Sequence, residues 1–196
     1  MLSNYQLLYI TSHHECTQGV LDGVYSIDLV PTSVNKFPAF WIVNEEKSNQ
    51  KGSHWVSCFF ESANSPAEFF CSLGREPNYY SSRLVSSLKN NGNGQITRNS
   101  CKVQADETST CAYFCLYVLD MRCRGMSYVT SLSRFSCSDM VHNERVVATF
   151  MQKHMTSQNK WCFSFSSYLG LSRLFLDLSL QTQKVHSMVD AELAVI

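Results

Sequence analysis

Cys111, Phe114, Cys115, Val118 and Leu119 stand at i, i+3, i+4, i+7 and i+8, so a helix that begins at Cys111 gathers all five on one stripe. That stripe must be buried, and Ser109 or Thr110 is suited to cap its first turn. Sheet segments are read upstream. Ala39–Val43 is a short apolar run that predicts a buried strand, and Trp55–Phe60 predicts a second. A Ser-Ala-Asn-Ser-Pro turn separates Phe60 from Ala67–Cys71, which predicts a hairpin with a five- or six-residue loop ending near Gly74. Tyr79–Leu88 has mixed helical spacing, the Asn90–Gly94 tract reads as a loop, and Cys101–Gln104 reads as a further strand. A second helix is expected from about Asp139 to His154, with Val146, Val147, Phe150 and Met151 on its apolar face. The start of the chain reads as polar, and Leu169–Leu180 fits helix or strand equally well.

A chain of 196 residues holds one domain with a substantial core. Sixteen basic and sixteen acidic residues cancel, so long-range attraction favours neither nucleic acid nor a charged membrane surface as partner. The longest apolar run, from Cys111 to Leu119, is far short of the ~20 residues that cross a bilayer. Nine cysteines form an odd set, no secretory leader opens the chain and no Asn-x-Ser/Thr acceptor occurs, so reduced thiols in an intracellular protein are expected.

A nucleophilic cysteine needs a route to the thiolate, a base, and donors aimed at the oxyanion. At the start of a helix, Cys111 would gain from the unpaired amides and the dipole, which lower a thiol pKa. The same position also suits a buried core cysteine, and helix position alone leaves the two readings open. Gly52-Ser-His54-Trp opens a strand after a polar turn, and Gln104 lies seven residues before Cys111. These two elements supply a candidate base and a candidate neutral donor.

The order His54-Trp, a strand with a glycine-containing turn, then Gln104 followed by Ser-Thr-Cys111 resembles the adenovirus protease family, with its relatives in Polinton/Maverick transposons and related viruses. Gly19-Val-Leu to Pro31, Phe40-Trp-Ile-Val-Asn44, Glu68-Phe-Phe-Cys-Ser-Leu-Gly74, Ser109–Tyr117 and Arg122-Cys-Arg-Gly125 extend the likeness over residues 19–155. The resemblance implies an α+β, papain-like fold with a mixed central sheet, a protease domain over 1–160 and a C-terminal extension over 161–196. It implies His54 as general base, Cys111 as nucleophile and Gln104 as oxyanion donor. It further implies a polypeptide substrate, with processing of viral or transposon structural precursors. An activating peptide or DNA, and a place in the cytoplasm, nucleus or virion, are carried by the resemblance alone.

Two positions depart from the family pattern. Where the family carries the acid that orients the histidine, this chain has Cys71, a poor hydrogen-bond acceptor. Strand alternation sends Glu68 to the opposite face, whereas Glu76, past the turn, is a candidate substitute. Ala112 stands where glycine is common after the nucleophile. A Cys–His dyad can still act, because a thiol is far more acidic than a serine hydroxyl. The alternatives are a weakened or inactive homologue that binds peptides, and an isopeptidase for ubiquitin-like modifiers, whose proteases share the catalytic order.

No cofactor is implied. His13, His14 and Cys16 carry metal-ligating atoms, yet no partner set at zinc spacing accompanies them in sequence, so the segment reads as exposed polar chain with no metal. Cys137 and His142 read likewise. Cys115 and Cys123 read as core or near-surface thiols. Asp106 and Glu107 are expected to face water, since their charge would oppose a thiolate. Trp55 can either shield the site or pack the strand.

Overall fold

The computed structural model describes residues 2–156. Residues 2–152 belong to one compact unit. The elements are α1 (Asn4–Ser12), β1 (Leu21–Ser26), β2 (Ala39–Asn44), β3 (Trp55–Phe60), β4 (Ala67–Phe70), α2 (Pro77–Tyr80), α3 (Ser82–Asn91), β5 (Ile96–Arg98), α4 (Cys111–Cys123), α5 (Tyr128–Leu132) and α6 (Met140–Thr156). The fold is α+β. Its sheet has order β1-β2-β3-β4-β5, with β2, β3 and β4 antiparallel to their neighbours in turn, and with β1 and β5 added parallel at the edges.

Every residue of β2 and β3 is buried, as uninterrupted apolar runs require when a sheet is covered on both faces. Alternation divides them. Val56, Cys58 and Phe60 join Trp41, Val43, Ala67, Phe69, Cys71, Leu84 and Leu88 in one core, so α3 packs on that face. On the other face Phe59 lies under the Arg122 guanidinium of α4, 4.4 Å from the ring centroid. The Cys115 thiol of α4 lies 3.6 Å from the Trp55 carbonyl oxygen. Phe114 packs at 5.2 Å on Phe135, which also stacks on Phe70. Helix α4 is buried along almost its whole length, which goes beyond the single stripe that its spacing predicts.

The β3–β4 hairpin and the starts of α4 and α6 match the sequence expectations, with Asp139 Oδ1 accepting from the His142 amide as the cap of α6. Three expectations are corrected. The supposed polar start is helix α1, closed by a capping box in which Ser3 and Gln6 bond each other's backbone amides. Asn90 and Asn91 finish α3, because the Asn91 side chain is held by the Thr32 and Ser87 carbonyls. Cys101–Gln104 is irregular, and the strand of that region is β5, upstream of it. The Val103 and Gln104 amides both donate to the Ser72 carbonyl, at 2.8 and 3.0 Å, forming a clasp in place of a ladder.

Among the described residues no helix is long and apolar enough to cross a membrane. Cys101 and Cys137 form a disulfide, contrary to the expectation of reduced thiols. Their Cα atoms, 5.7 Å apart, sit within the span that a disulfide bridges. The extension expected over 161–196 lies outside the described residues.

Candidate active site

The candidate residues come from four separate segments. His54 immediately precedes β3, Cys71 follows β4, Gln104 closes the clasp against Ser72, and Cys111 begins α4. All four are buried, at 4, 0, 3 and 1% exposure respectively.

The backbone N–H groups of Trp55 and Ala112 both favour the thiolate form of Cys111. The first of these is the amide that joins Trp55 to His54. The second is an amide of the first turn of α4, a place where donors lack intrahelical partners. Burial nevertheless raises the Cys111 pKa, and the two amides recover only part of the cost. The acidic thiol expected from helix position alone is thereby corrected: loss of water outweighs the helix terminus. Thr110 occupies the cap position without capping, and its hydroxyl donates instead to Glu144 Oε2 at 2.8 Å.

The imidazole of His54 is pushed down to about 4, first by burial and then by the charge of Arg75. It is therefore neutral at pH 7. Its Nε2 lies 3.5 Å from Cys71 Sγ, and Tyr80 Oη lies 3.0 Å from the same sulfur. Ring planes of His54 and Tyr80 are nearly parallel, with centroids 6.4 Å apart. With Nε2 turned to Cys71, Nδ1 lies on the other side of the ring.

Gln104 is anchored at both ends of its amide. Its Oε1 accepts from the Ser72 hydroxyl at 2.6 Å, and its Nε2 donates to the Thr108 carbonyl at 2.9 Å. An amide nitrogen carries two hydrogens, so this bond accounts for one of them.

The backbone around Cys71 is fixed by residues that no motif singled out. Asn99 accepts from the Cys71 amide at 3.0 Å and donates to the Cys71 carbonyl at 2.7 Å. At Gly74, φ is +70°, and a Cβ there would come within 2.7 Å of the Lys102 amide nitrogen. Only glycine allows that approach, which brings the Cys101–Gln104 segment against the turn after β4. From α6, Glu144 accepts from Ala105 N, Thr108 Oγ1 and Thr110 Oγ1, while Asn143 donates to the Val103 carbonyl. These contacts span 34 to 40 residues of sequence, a separation at which local pattern carries no signal.

Neither acid near Cys71 reaches the histidine. Glu68 lies on the opposite face and pairs with Arg122 at 2.8 Å, with its carboxyl pushed up to about 7 by burial. Glu76 pairs with Arg98. Asp106 and Glu107 are exposed, as expected. Trp55 is buried, and its indole N–H donates to the Leu2 carbonyl at 3.1 Å. Cys115 is buried in α4, Cys137 is in the disulfide, and His142 Nε2 lies 3.1 Å from the Arg134 carbonyl oxygen.

No family model matches the sequence, and no curated protein matches it. Among solved structures the chain is similar to the crystal structure of ASFV pS273R protease, with 15% identity and a TM-score of 0.47, over 74% of this chain and 66% of that one. A selenomethionine form of the same protease matches with 21% identity and a TM-score of 0.36, over 54% of this chain and 42% of that one. The chain thus spans less than two thirds of the length of these neighbours.

Proposed function

We infer that the chain is a papain-like cysteine endopeptidase of the adenovirus-protease type, in which Cys111 attacks a peptide carbonyl and His54 carries the proton. The observation that supports the reading is that the backbone amide joining His54 to Trp55 favours the thiolate of Cys111 at the start of a helix. His54 Nδ1 takes the thiol proton as sulfur attacks, and returns it to the leaving amine. A thioester on Cys111 follows, and water hydrolyses it. The backbone N–H of Cys111 and the second N–H of Gln104 Nε2 receive the oxyanion. Because thiol and imidazole both start neutral, proton transfer has to accompany attack instead of preceding it. The substrate is a polypeptide, and the family resemblance points to viral or transposon structural precursors.

Labelling with a thiol-reactive peptide probe tests this reading. The folded protein is expected to react at Cys111, and Cys111→Ala to lose the adduct while keeping its stability. Equal labelling of several thiols, or none at Cys111, would leave no nucleophile in the site.

A second reading is favoured by the near-complete burial of His54 and Cys111 together with the thiol at position 71. In it the fold is kept as a peptide-binding module without turnover. Binding of a probe-free peptide with no cleavage over long incubation would support that reading.

A further inference from the structure

His14 and Cys16 lie in the turn after α1, and the fold brings them against the C-terminal end of α4. The His14 Nε2 atom is 3.7 Å from Asp120 Oδ1. One donor atom from each of His14, Cys16 and Asp120 lies within 4.8 Å of the other two. Cys123 follows Asp120 by three residues on α4, hence on the same side of the helix. Its Sγ lies outside the 4.8 Å set formed by the other three, so the Cys123 side chain has to move inward to complete four ligands. The partner set that was missing from the sequence around His14 is supplied from more than 100 residues away.

We propose that His14, Cys16, Asp120 and Cys123 form a structural zinc site that ties the turn after α1 to the end of α4.

Tetrahedral zinc holds sulfur at about 2.3 Å and nitrogen or carboxylate oxygen at about 2.0–2.2 Å, which spaces its ligand atoms roughly 3.4–3.8 Å apart. The His14–Asp120 separation of 3.7 Å is within a few tenths of an ångström of the nitrogen–oxygen spacing at tetrahedral zinc, and it is too long for a good hydrogen bond between the two groups. Every pair among the three donors lies inside 4.8 Å, so none needs to close by more than about 1–1.5 Å. Cys16 and Cys123 are half-buried, so both thiols can make that adjustment from the edge of the site. Thiolate and imidazole ligands favour zinc over calcium or magnesium, which prefer oxygen.

The surroundings fit the charge as well. Two thiolates, one carboxylate and a divalent cation sum to one negative charge. Arg124 offsets it, donating from Nε to Asp120 Oδ2 at 2.7 Å and from Nη2 to Oδ1 at 3.1 Å. A hydrogen-bonded carboxylate held in one orientation is the arrangement expected around a metal ligand. The turn itself is fixed, since the Thr17 and Gln18 amides donate to the His14 carbonyl and the Thr17 hydroxyl donates to the Thr11 carbonyl. Binding releases a proton from each thiol to solvent, and no electron is transferred.

The test uses full-length, reduced, metal-stripped protein carrying Cys111→Ala, so that the candidate nucleophile cannot hold metal. Cobalt(II) is titrated in as a spectroscopic stand-in and then displaced with zinc. One cobalt per chain is expected, with visible bands of a tetrahedral site and a near-ultraviolet thiolate charge-transfer band. Cys16→Ser and Cys123→Ser should each lower that band by about half, because each removes one of the two Co–S bonds. Zinc should raise the melting temperature of the parent and fail to raise it in Cys16→Ser. Circular dichroism of the metal-free variants checks that they fold. Absence of binding would overturn the proposal, as would a full-strength thiolate band in either serine variant. Neither readout depends on peptide cleavage, so the site stands or falls independently of the protease reading.

Discussion

The imidazole Nε2 of His54 lies 3.5 Å from the sulfur of Cys71, and that sulfur is backed by the Tyr80 hydroxyl at 3.0 Å. A thiol thus occupies the position from which a carboxylate would fix the ring and stabilise its charged form.

Cys71→Asp should convert this relay into a charged one. A carboxylate there accepts from Nε2–H and from Tyr80, so the His54 pKa is expected to rise well above its present value of about 4. NMR titration of the ring reads this directly. Peptide cleavage should rise by at least about tenfold, given that loss of the third residue of a triad costs up to roughly 10⁴. An unchanged His54 titration would show that position 71 does not govern the ring.

Folding stability should fall in acid because of His54. The folded state holds the imidazole at about 4 against an ordinary value of 6.5, so the unfolded chain takes up a proton that the folded chain refuses. The contribution is whole above pH 6.5 and is lost as pH falls towards 4, an effect on the order of 3 kcal/mol. Urea unfolding midpoints at pH 7 and pH 4.5 should therefore converge in His54→Gln relative to the parent.

Gly74→Ala should destabilise the protein by about 1–3 kcal/mol, since a left-handed backbone and a blocked approach to Lys102 N are combined at one residue. The clasp between Ser72 and Gln104 should loosen with it. Faster hydrogen exchange at the Val103 and Gln104 amides would be the specific sign.

Replacing both Cys101 and Cys137 by serine opens a loop with a sequence separation of 36. Chain entropy sets the expected loss at about 3–4 kcal/mol under oxidising conditions. The same variant should match the parent once the parent is reduced.

How much of this could be read from the chain depends on the distance over which each residue acts. The strand Trp55–Phe60 and the helix from Cys111 were legible because burial is written into consecutive or periodic residues. Helix α1 carried a Ser-x-x-Gln capping signal that a reading centred on apolar spacing passes over. The edge strands β1 and β5 are partly exposed and lack alternation, so no periodicity marks them. At the candidate site, residue types named the chemistry, whereas the supports Tyr80, Asn99 and Glu144 are polar residues with no local pattern. The low pKa of His54 and the raised one of Cys111 arise from burial, which depends on the whole fold.

Glu144 receives hydrogen bonds from the residues at 105, 108 and 110, just ahead of the candidate nucleophile. A fragment ending after α5 would keep each of His54, Cys71, Gln104 and Cys111 and still surrender the brace under that approach. Dissection of this protein therefore has a boundary that the four candidate positions do not reveal: a piece that keeps the approach to Cys111 braced extends through the opening turns of α6.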